Sequence, residues 1–303
     1  MKFLKDLFKP RARVNRVDVT KRFDLICRVG QGSMSRVWRA RDSASGKTVA
    51  LKVLDKEKTQ KLESRFVGRN KPAEGEIAIQ LKHTNIVRTL EHGVTFEKEP
   101  FLVMEFVEGV SLSFLVDVQN ERMQRNRLSY MIQLAEGLEH FHQKNWIHRD
   151  LCPRNVLVSN EDEVKLIDFG LAVPNTAPFQ APGNRTGTAN YMAPELIKRQ
   201  RTDQRIDIFS FAVTCFEMFT KRYPWEAGKT LDMVIQHINQ PPQDIRELVP
   251  GIDEQVAAAI MKGLERDPRD RWRKISEMIQ ALQEARTRLE RKAAAPPPPA
   301  GSR

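Results

Sequence analysis

Apolar and polar side chains alternate through residues 23–55, and the alternation breaks at two turn-rich points, residues 30–33 and 42–46. A period of two with turns at those points predicts three consecutive antiparallel strands, FDLICRVG (23–30), SRVWRARD (35–42) and KTVALKVLD (47–55). A polar, helix-compatible stretch covers about 60–82, and two further strands are expected near 87–93 and 101–106. From Ser111 onward the spacing turns helical, most clearly in RLSYMIQLAEGLEHFHQKN (127–145). Two short strand-like pieces, VLVS and VKLIDF, interrupt it, and helices run on to about residue 290. A small strand-rich front followed by a larger helical back predicts an α+β fold with two lobes.

Charge changes this picture only at the N-terminus. The net charge is +11, and residues 1–22 carry eight Lys/Arg against Asp6 and Asp18, a balance of +6. A basic leader with Phe3, Leu4, Leu7 and Phe8 on one helical face suits an acidic membrane surface or a protein partner, and equally suits a solvated arm. No basic, aromatic-bearing face exists outside it, so nucleic acid is not an expected partner. Cys27, Cys152 and Cys215 form no C-x-x-C pair, which fits a reducing, cytoplasmic setting. The longest apolar stretch, residues 206–219, is broken by Asp207, Ser210 and Glu217 and reads as a buried helix rather than a membrane span. The end, KAAAPPPPAGSR, reads as a disordered tail.

Candidate chemistry begins at the first hairpin. Gly30, Gln31, Gly32 and Ser33, followed by Val37, nearly meet G-x-G-x-x-G-x-V, with Ser35 in place of the third glycine. Glycines at a hairpin tip let backbone N–H groups approach phosphates. In Val49-Ala50-Leu51-Lys52-Val53, alternation puts Ala50 and Lys52 on one face, leaving room for a flat base beside a phosphate-reaching ammonium. The stretch IHRDLCPRNVLV places Asp150 five residues before Asn155, and Asp168-Phe169-Gly170 begins thirteen residues after Asn155. One carboxylate to orient an attacking hydroxyl, with an amide oxygen and a second carboxylate for divalent metal, is the requirement of phosphoryl transfer. Hard oxygen ligands suit Mg²⁺, with Mn²⁺ as the alternative. His148 could serve as a base, but beside Arg149-Asp150 it reads as a packed structural residue.

These motifs, in this order and spacing, resemble the eukaryotic-type serine/threonine protein kinase family in its bacterial-like form, over about 260 of 303 residues. The resemblance implies a two-lobed kinase fold: leader 1–22, kinase domain 23–285 (N-lobe 23–104, hinge 105–110, C-lobe 111–285) and tail 286–303. It implies ATP as the nucleotide, with Lys52, Asp150, Asn155 and Asp168 acting on one metal-bound triphosphate. Lys52 would pair with Glu74, or with Glu76 as second choice. Val29, Val37, Ala50 and Leu157 would enclose the adenine, Met104 would stand behind it, and the backbone of Glu105 and Val107 would bond it. Asp150 corresponds to the catalytic aspartate, and Asn155 and Asp168 to the metal ligands. Glu195 would pair with Arg271, and Asp207 would anchor the catalytic loop.

Three departures stand out. Ser35 replaces a glycine; Ser111 stands where many relatives carry an acidic residue near the ribose; Cys152 stands where serine/threonine kinases carry a lysine. Arg154, two residues on, is positioned to supply the missing charge, and also hints at tyrosine specificity. Against that hint, Gly187-Thr188-x-x-Tyr191 follows the serine/threonine pattern, in which Thr188 bonds the catalytic aspartate. That loop meets the substrate, so proteins presenting Ser or Thr are the expected partners. Cys152 reads as an inert buried thiol rather than a redox switch. Arg149 would receive a phosphate on Thr176 or Thr186. The rival reading is a nucleotide-binding pseudokinase, weakened because Lys52, Asp150, Asn155 and Asp168 are all present.

Overall fold

The alternation across residues 23–55 folds as three long antiparallel strands. The computed structural model describes residues 16–31, 34–66, 68–183, 185–225 and 238–294. Two compact units divide the chain, Met1–Lys82 with Val87–Val107 and His83–Ile86 with Glu108–Arg303.

In the first unit, β1 (Arg16–Val17), α1 (Val19–Arg22), β2 (Phe23–Gln31), β3 (Ser35–Asp42) and β4 (Thr48–Leu54) are followed by α2 (Lys56–Glu63), α3 (Glu74–Ala78), β5 (Thr89–Thr95) and β6 (Pro100–Glu105). The sheet order is β1-β5-β6-β4-β3-β2, antiparallel except for β1 beside β5. Its inward face buries Phe23, Ala40, Val49, Leu51, Val53, Phe101 and Val103. Each such large side chain contributes about 1.5–3 kcal/mol of transfer free energy.

Two boundaries differ from the sequence reading. Residues 16–22, read as leader, are built into the first unit: Arg16–Val17 pair with β5, and Val17 and Val19 pack on the sheet core. Arg22 Nε donates to Asp42 Oδ1 at 2.9 Å and its Nη1 to Glu91 Oε1 at 2.8 Å. The apolar residues Phe3, Leu4, Leu7 and Phe8 lie outside the described residues. The expected helix over 60–82 is also interrupted. Gly68 (φ +78) and Asn70 (φ +48) turn the chain and Pro72 removes a donor, so helix resumes only at Glu74.

The second unit is mainly helical. It comprises β7 (Gly109–Ser111), α4 (Leu112–Val118), α5 (Glu121–Gln143), β8 (Trp146–Ile147), β9 (Val156–Ser159), β10 (Val164–Leu166), β11 (Val173–Pro174), α6 (Ala177–Gln180), α7 (Pro194–Ile197), α8 (Arg205–Thr220), α9 (Ile245–Leu248), α10 (Glu254–Gly263) and α11 (Ile275–Ala294). β7, β9 and β10 form one small sheet, and β8 pairs with β11. α8 is the buried helix expected from its composition; its Ser210 and Thr214 hydroxyls bond to carbonyls, so the burial leaves them satisfied.

His83–Ile86 belong to this unit because Asn85 is built into it. Asn85 Nδ2 donates to Gln133 Oε1 (3.1 Å) and to Val164 O (3.0 Å), and Leu166 N donates to Asn85 O (2.9 Å). The division at 107/108 falls inside the segment read as hinge. At the other end α11 continues to Ala294, past the domain end expected at 285. Its last buried side chain is Ala285; beyond that, RTRLERKAA carries the helix on intrinsic propensity, with an Arg286–Glu290 pair at 3.9 Å. The rest of the tail lies outside the described residues. No helix among the described residues is long and apolar enough to cross a membrane.

Candidate active site

β4 carries Lys52 on the face opposite the core. Across the sheet, Gly30 registers with Val37 and Val37 with Lys52. Lys52 is 5% exposed, and its Nζ lies 2.6 Å from Glu74 Oε1. A buried ammonium is costly without a counter-charge, and this pair meets that need at both ends. Glu76, the other candidate, turns its carboxylate to the Ala73 N–H at 2.9 Å. Gly75 between them is a packing requirement: a Cβ there would lie 2.6 Å from the His92 ring. That contact seats α3 on β5 and aims Glu74 at β4.

The glycine hairpin is described only in part. Gly30 and the backbone of Gln31 end β2, whereas Gly32 and Ser33 lie outside the described residues. Val29 is 49% exposed, and a Cβ on Gly30 would meet only Val37 at ordinary distance. Ala50 registers with Met104 across β4 and β6. The Glu105 N–H is taken by Arg88 O at 2.9 Å, and the Glu105 carboxylate accepts from Arg88 N. Val107 is the last residue of the first unit.

In the second unit a wholly buried carboxylate organises the loop after β8. Asp207, near the start of α8, accepts from the N–H groups of His148 and Arg149, both at 2.8 Å, and lies 2.9 Å from His142 Nε2. These bonds hold Arg149 at φ +70, a conformation that a non-glycine residue adopts only under constraint. His148 is packed between Phe141 and Phe169, and its Nδ1 accepts from Asp150 N at 3.3 Å. Burial pushes its pKa down and keeps the imidazole neutral. Its role is structural.

The loop presents Asp150 to two partner residues. Asp150 Oδ1 accepts from both the N–H and the hydroxyl of Thr188, each at 2.8 Å. Asn155 Nδ2 donates to the Asp150 main-chain oxygen at 2.8 Å and to Oδ2 at 3.1 Å. With its nitrogen so engaged, Asn155 keeps its Oδ1 as an acceptor, the polarity that a cation needs. Asn155 O in turn accepts from Ile167 N at 2.9 Å, bringing Asn155 against the residue before Asp168. Asp168 sits at φ +80, and its Oδ1 accepts from Gly170 N at 3.2 Å. An amide oxygen and a carboxylate so adjoined fit a hard divalent ion. Leu157, on β9, follows directly in the small sheet.

Thr188 reaches Asp150 because Gly187 can turn at φ +135, where a Cβ would lie 2.6 Å from Arg149 O. The segment then closes on α8: Tyr191 donates its hydroxyl to Glu217, and Glu195 Oε1 and Oε2 each take an Arg271 nitrogen at 2.7 Å in a buried bidentate pair. Arg271 also donates to the carbonyls of Glu265, Arg205 and Arg266.

Thr186 is placed differently from expectation, whereas Cys152 is buried as expected. Thr186 is 5% exposed, so in this conformation its hydroxyl is closed to a phosphate donor, whereas Thr176 is exposed. Ser111 caps α4, its Oγ accepting from Phe114 N at 3.1 Å. Cys152 is buried between Asp150 and Arg154, and burial raises its thiol pKa, which keeps it protonated and unreactive. Arg154 is exposed, in electrostatic reach of Cys152, Tyr191 and Tyr223. Sequence reasoning missed His142, Asn85 and Glu217. All three meet their partners across more than twenty residues, and no local spacing signals such contacts.

The protein kinase domain model matches residues 23–284. The chain belongs to the protein kinase domain family. Among curated relatives, a probable serine/threonine-protein kinase of Clostridium perfringens is 33% identical over 266 residues, covering 86% of this chain and 38% of its own length. The serine/threonine-protein kinase PknA of Corynebacterium glutamicum is 33% identical over 268 residues, covering 85% of this chain and 55% of its own. PrkC of Bacillus subtilis is 26% identical over 263 residues, covering 86% and 40%. This kinase domain therefore spans between about two fifths and half of those relatives.

Proposed function

We propose that this kinase domain transfers the γ-phosphoryl group of Mg-ATP to serine and threonine hydroxyls of proteins. The observation that carries the reading is the pair of hydrogen bonds that Thr188 donates, from its N–H and its hydroxyl, to Asp150 Oδ1. It fixes one carboxylate oxygen, leaves the acid held from its other side by Asn155, and brings the substrate-side segment to the catalytic loop.

Asp150 orients the incoming hydroxyl and accepts its proton as the oxygen attacks. Asn155 Oδ1 and Asp168 hold the divalent ion, for which Mg²⁺ is the fitting identity. When bound, that ion neutralises phosphate charge. Lys52, oriented by Glu74, steadies the α- and β-phosphates, to which the backbone N–H groups of Gly30, Gln31, Gly32 and Ser33 would also donate. Val29, Val37, Ala50 and Leu157 contact the adenine, and the backbone of Glu105 and Val107 bonds its edge. Arg154, the exposed cation four residues from Asp150, replaces the lysine absent at position 152. The names of the bacterial relatives support Ser/Thr as acceptor. The three separated cysteines fit a reducing, cytoplasmic site of action, and the basic leader, read as residues 1–22, would meet an acidic membrane surface or a protein.

The deciding experiment is ³²P transfer from ATP to a generic basic protein, wild type against Asp150→Asn. The substitution should lower the rate roughly 10²- to 10⁴-fold, the range for a positioned acid–base group. Equal incorporation by both proteins would overturn Asp150 as the catalytic group, and nucleotide binding without any transfer would instead indicate a pseudokinase.

A further inference from the structure

Arg122, Arg205 and Arg271, half-buried or buried in the second unit, each pair with a carboxylate: Asp162, Asp203 and Glu195. Arg127, on α5, does not. It is half-buried, and its guanidinium carbon lies 4.4 Å over the Phe219 ring of α8. The one acceptor it meets among the described residues is neutral, Gln119 Oε1, 2.7 Å from Nη2. Its Nε–H is buried and meets no acceptor. No carboxylate among the described residues pairs with it, and Glu121, on the same helix, is paired with Arg125. Burial alone pushes the Arg127 pKa down, with no neighbouring acid to offset it.

Withdrawing a cation from water without a counter-charge is costly. Arg127 does not repay that cost by capping α8. Among the described residues it donates to no carbonyl at the end of that helix, and Gln119 Nε2 takes Met218 O instead, at 2.9 Å. What the corner lacks is an anion with two oxygens. Nε and Nη2 share one edge of a guanidinium, and Gln119 offers that edge a single oxygen. One guanidinium balances one negative charge, so a carboxylate matches it, whereas a phosphate dianion leaves a surplus against the negative ring face. Lys221 and Arg222, which follow α8, are exposed and pair with no acid among the described residues.

We propose that this corner of α4, α5 and α8 docks an acidic segment of a protein partner. One carboxylate takes the Nε–Nη2 edge of Arg127 in place of Gln119 Oε1, and further acidic side chains face Lys221 and Arg222. α4, which ends at Gln119, also packs on the Pro153–Asn155 turn, so the docked segment lies on the same unit as Asp150. Docking there requires none of the phosphoryl-transfer residues.

The test titrates a fluorescein-labelled octaglutamate peptide with the full chain at low salt and follows its anisotropy. Saturable binding is expected, weakened about tenfold or more in Arg127→Met, which loses a charge-assisted bidentate contact. Lys198→Gln, which removes an exposed cation from another element, should weaken it by less than about threefold. Absence of binding, or equal weakening in the two variants, the mark of charge attraction alone, overturns the site. Urea midpoints separate docking from a structural role. Removing an unpaired cation should leave Arg127→Met at least as stable as wild type. A lower midpoint, or a variant that does not fold, shows the guanidinium serving the fold and overturns the docking role. Sodium phosphate that displaces the peptide beyond sodium chloride at equal ionic strength would assign the edge to a phosphate group and overturn the carboxylate.

Discussion

Replacing Thr188 with alanine removes one of the two bonds that this residue makes to Asp150 and leaves the other. The hydroxyl contact, 2.8 Å to Oδ1, goes; the N–H contact, also 2.8 Å, stays because it belongs to the backbone. A hydrogen bond to a charged acceptor is worth roughly 1.5–3 kcal/mol. At 1.36 kcal/mol per decade, that corresponds to roughly a tenfold to 150-fold loss in kcat/KM if the bond is needed to aim the carboxylate at the acceptor. Stability should change much less, because the hydroxyl is only partly buried and water can take its place. Thr188→Ser retains both contacts and should stay within about fourfold of wild type, the scale of the roughly 0.8 kcal/mol of one buried methyl group. Initial rates against a peptide or basic-protein substrate, with urea midpoints measured alongside, separate the two effects. The reasoning is refuted if Thr188→Ala keeps kcat/KM within twofold, or if Thr188→Ser falls as far as Thr188→Ala.

Three further outcomes follow from the geometry. Arg271→Met leaves the buried Glu195 carboxylate unpaired and should cost about 3–5 kcal/mol by urea unfolding, most of it regained when Glu195→Leu is added; a loss below 1 kcal/mol for the single variant would contradict the pairing. The Arg22 guanidinium holds the Asp42 carboxyl below its ordinary value. Its contribution is therefore present above about pH 4 and is lost as pH falls through the depressed value, so Arg22→Ala should flatten the acid limb of the stability curve below pH 4. An unchanged limb would count against that coupling. Cys27 is exposed whereas Cys152 and Cys215 are buried. Alkylation of the native protein at pH 7.5, followed by mass spectrometry, should therefore label Cys27 first and the others only on unfolding; prompt labelling of Cys152 would show that the loop opens.

Much of this was legible in the chain as written. Strands 2–4, the buried helix around Asp207 and the short hairpin before Asp168 all announce themselves through local periodicity and turn residues. Spacing also singled out Lys52, Asp150, Asn155 and Asp168, since a strand or a tight loop converts a fixed interval into a fixed direction. Other features left no local mark. Residues 16–22 read as a charged leader until Val17 and Val19 meet the sheet core and Arg22 bridges Asp42 and Glu91. The stretch near 60–82 has helix-compatible composition, yet turns at Gly68 and Asn70 divide it. The choice between Glu74 and Glu76 came only from the family resemblance, which put Glu74 first, and the fold pairs Glu74 with Lys52.

Order and identity of residues thus sufficed for the elements and for the polar groups able to act on a phosphate. Those properties depend on neighbours a few positions apart. Partner choice did not follow from spacing alone: Glu74 on Lys52, Thr188 on Asp150 and Arg271 on Glu195 were implied only by the family resemblance, and a buried Thr186 beside an exposed Thr176 by nothing in the sequence. These bonds join positions separated by tens of residues, and burial, which sets the worth of each charge and hydroxyl, exists only once the chain has folded around them.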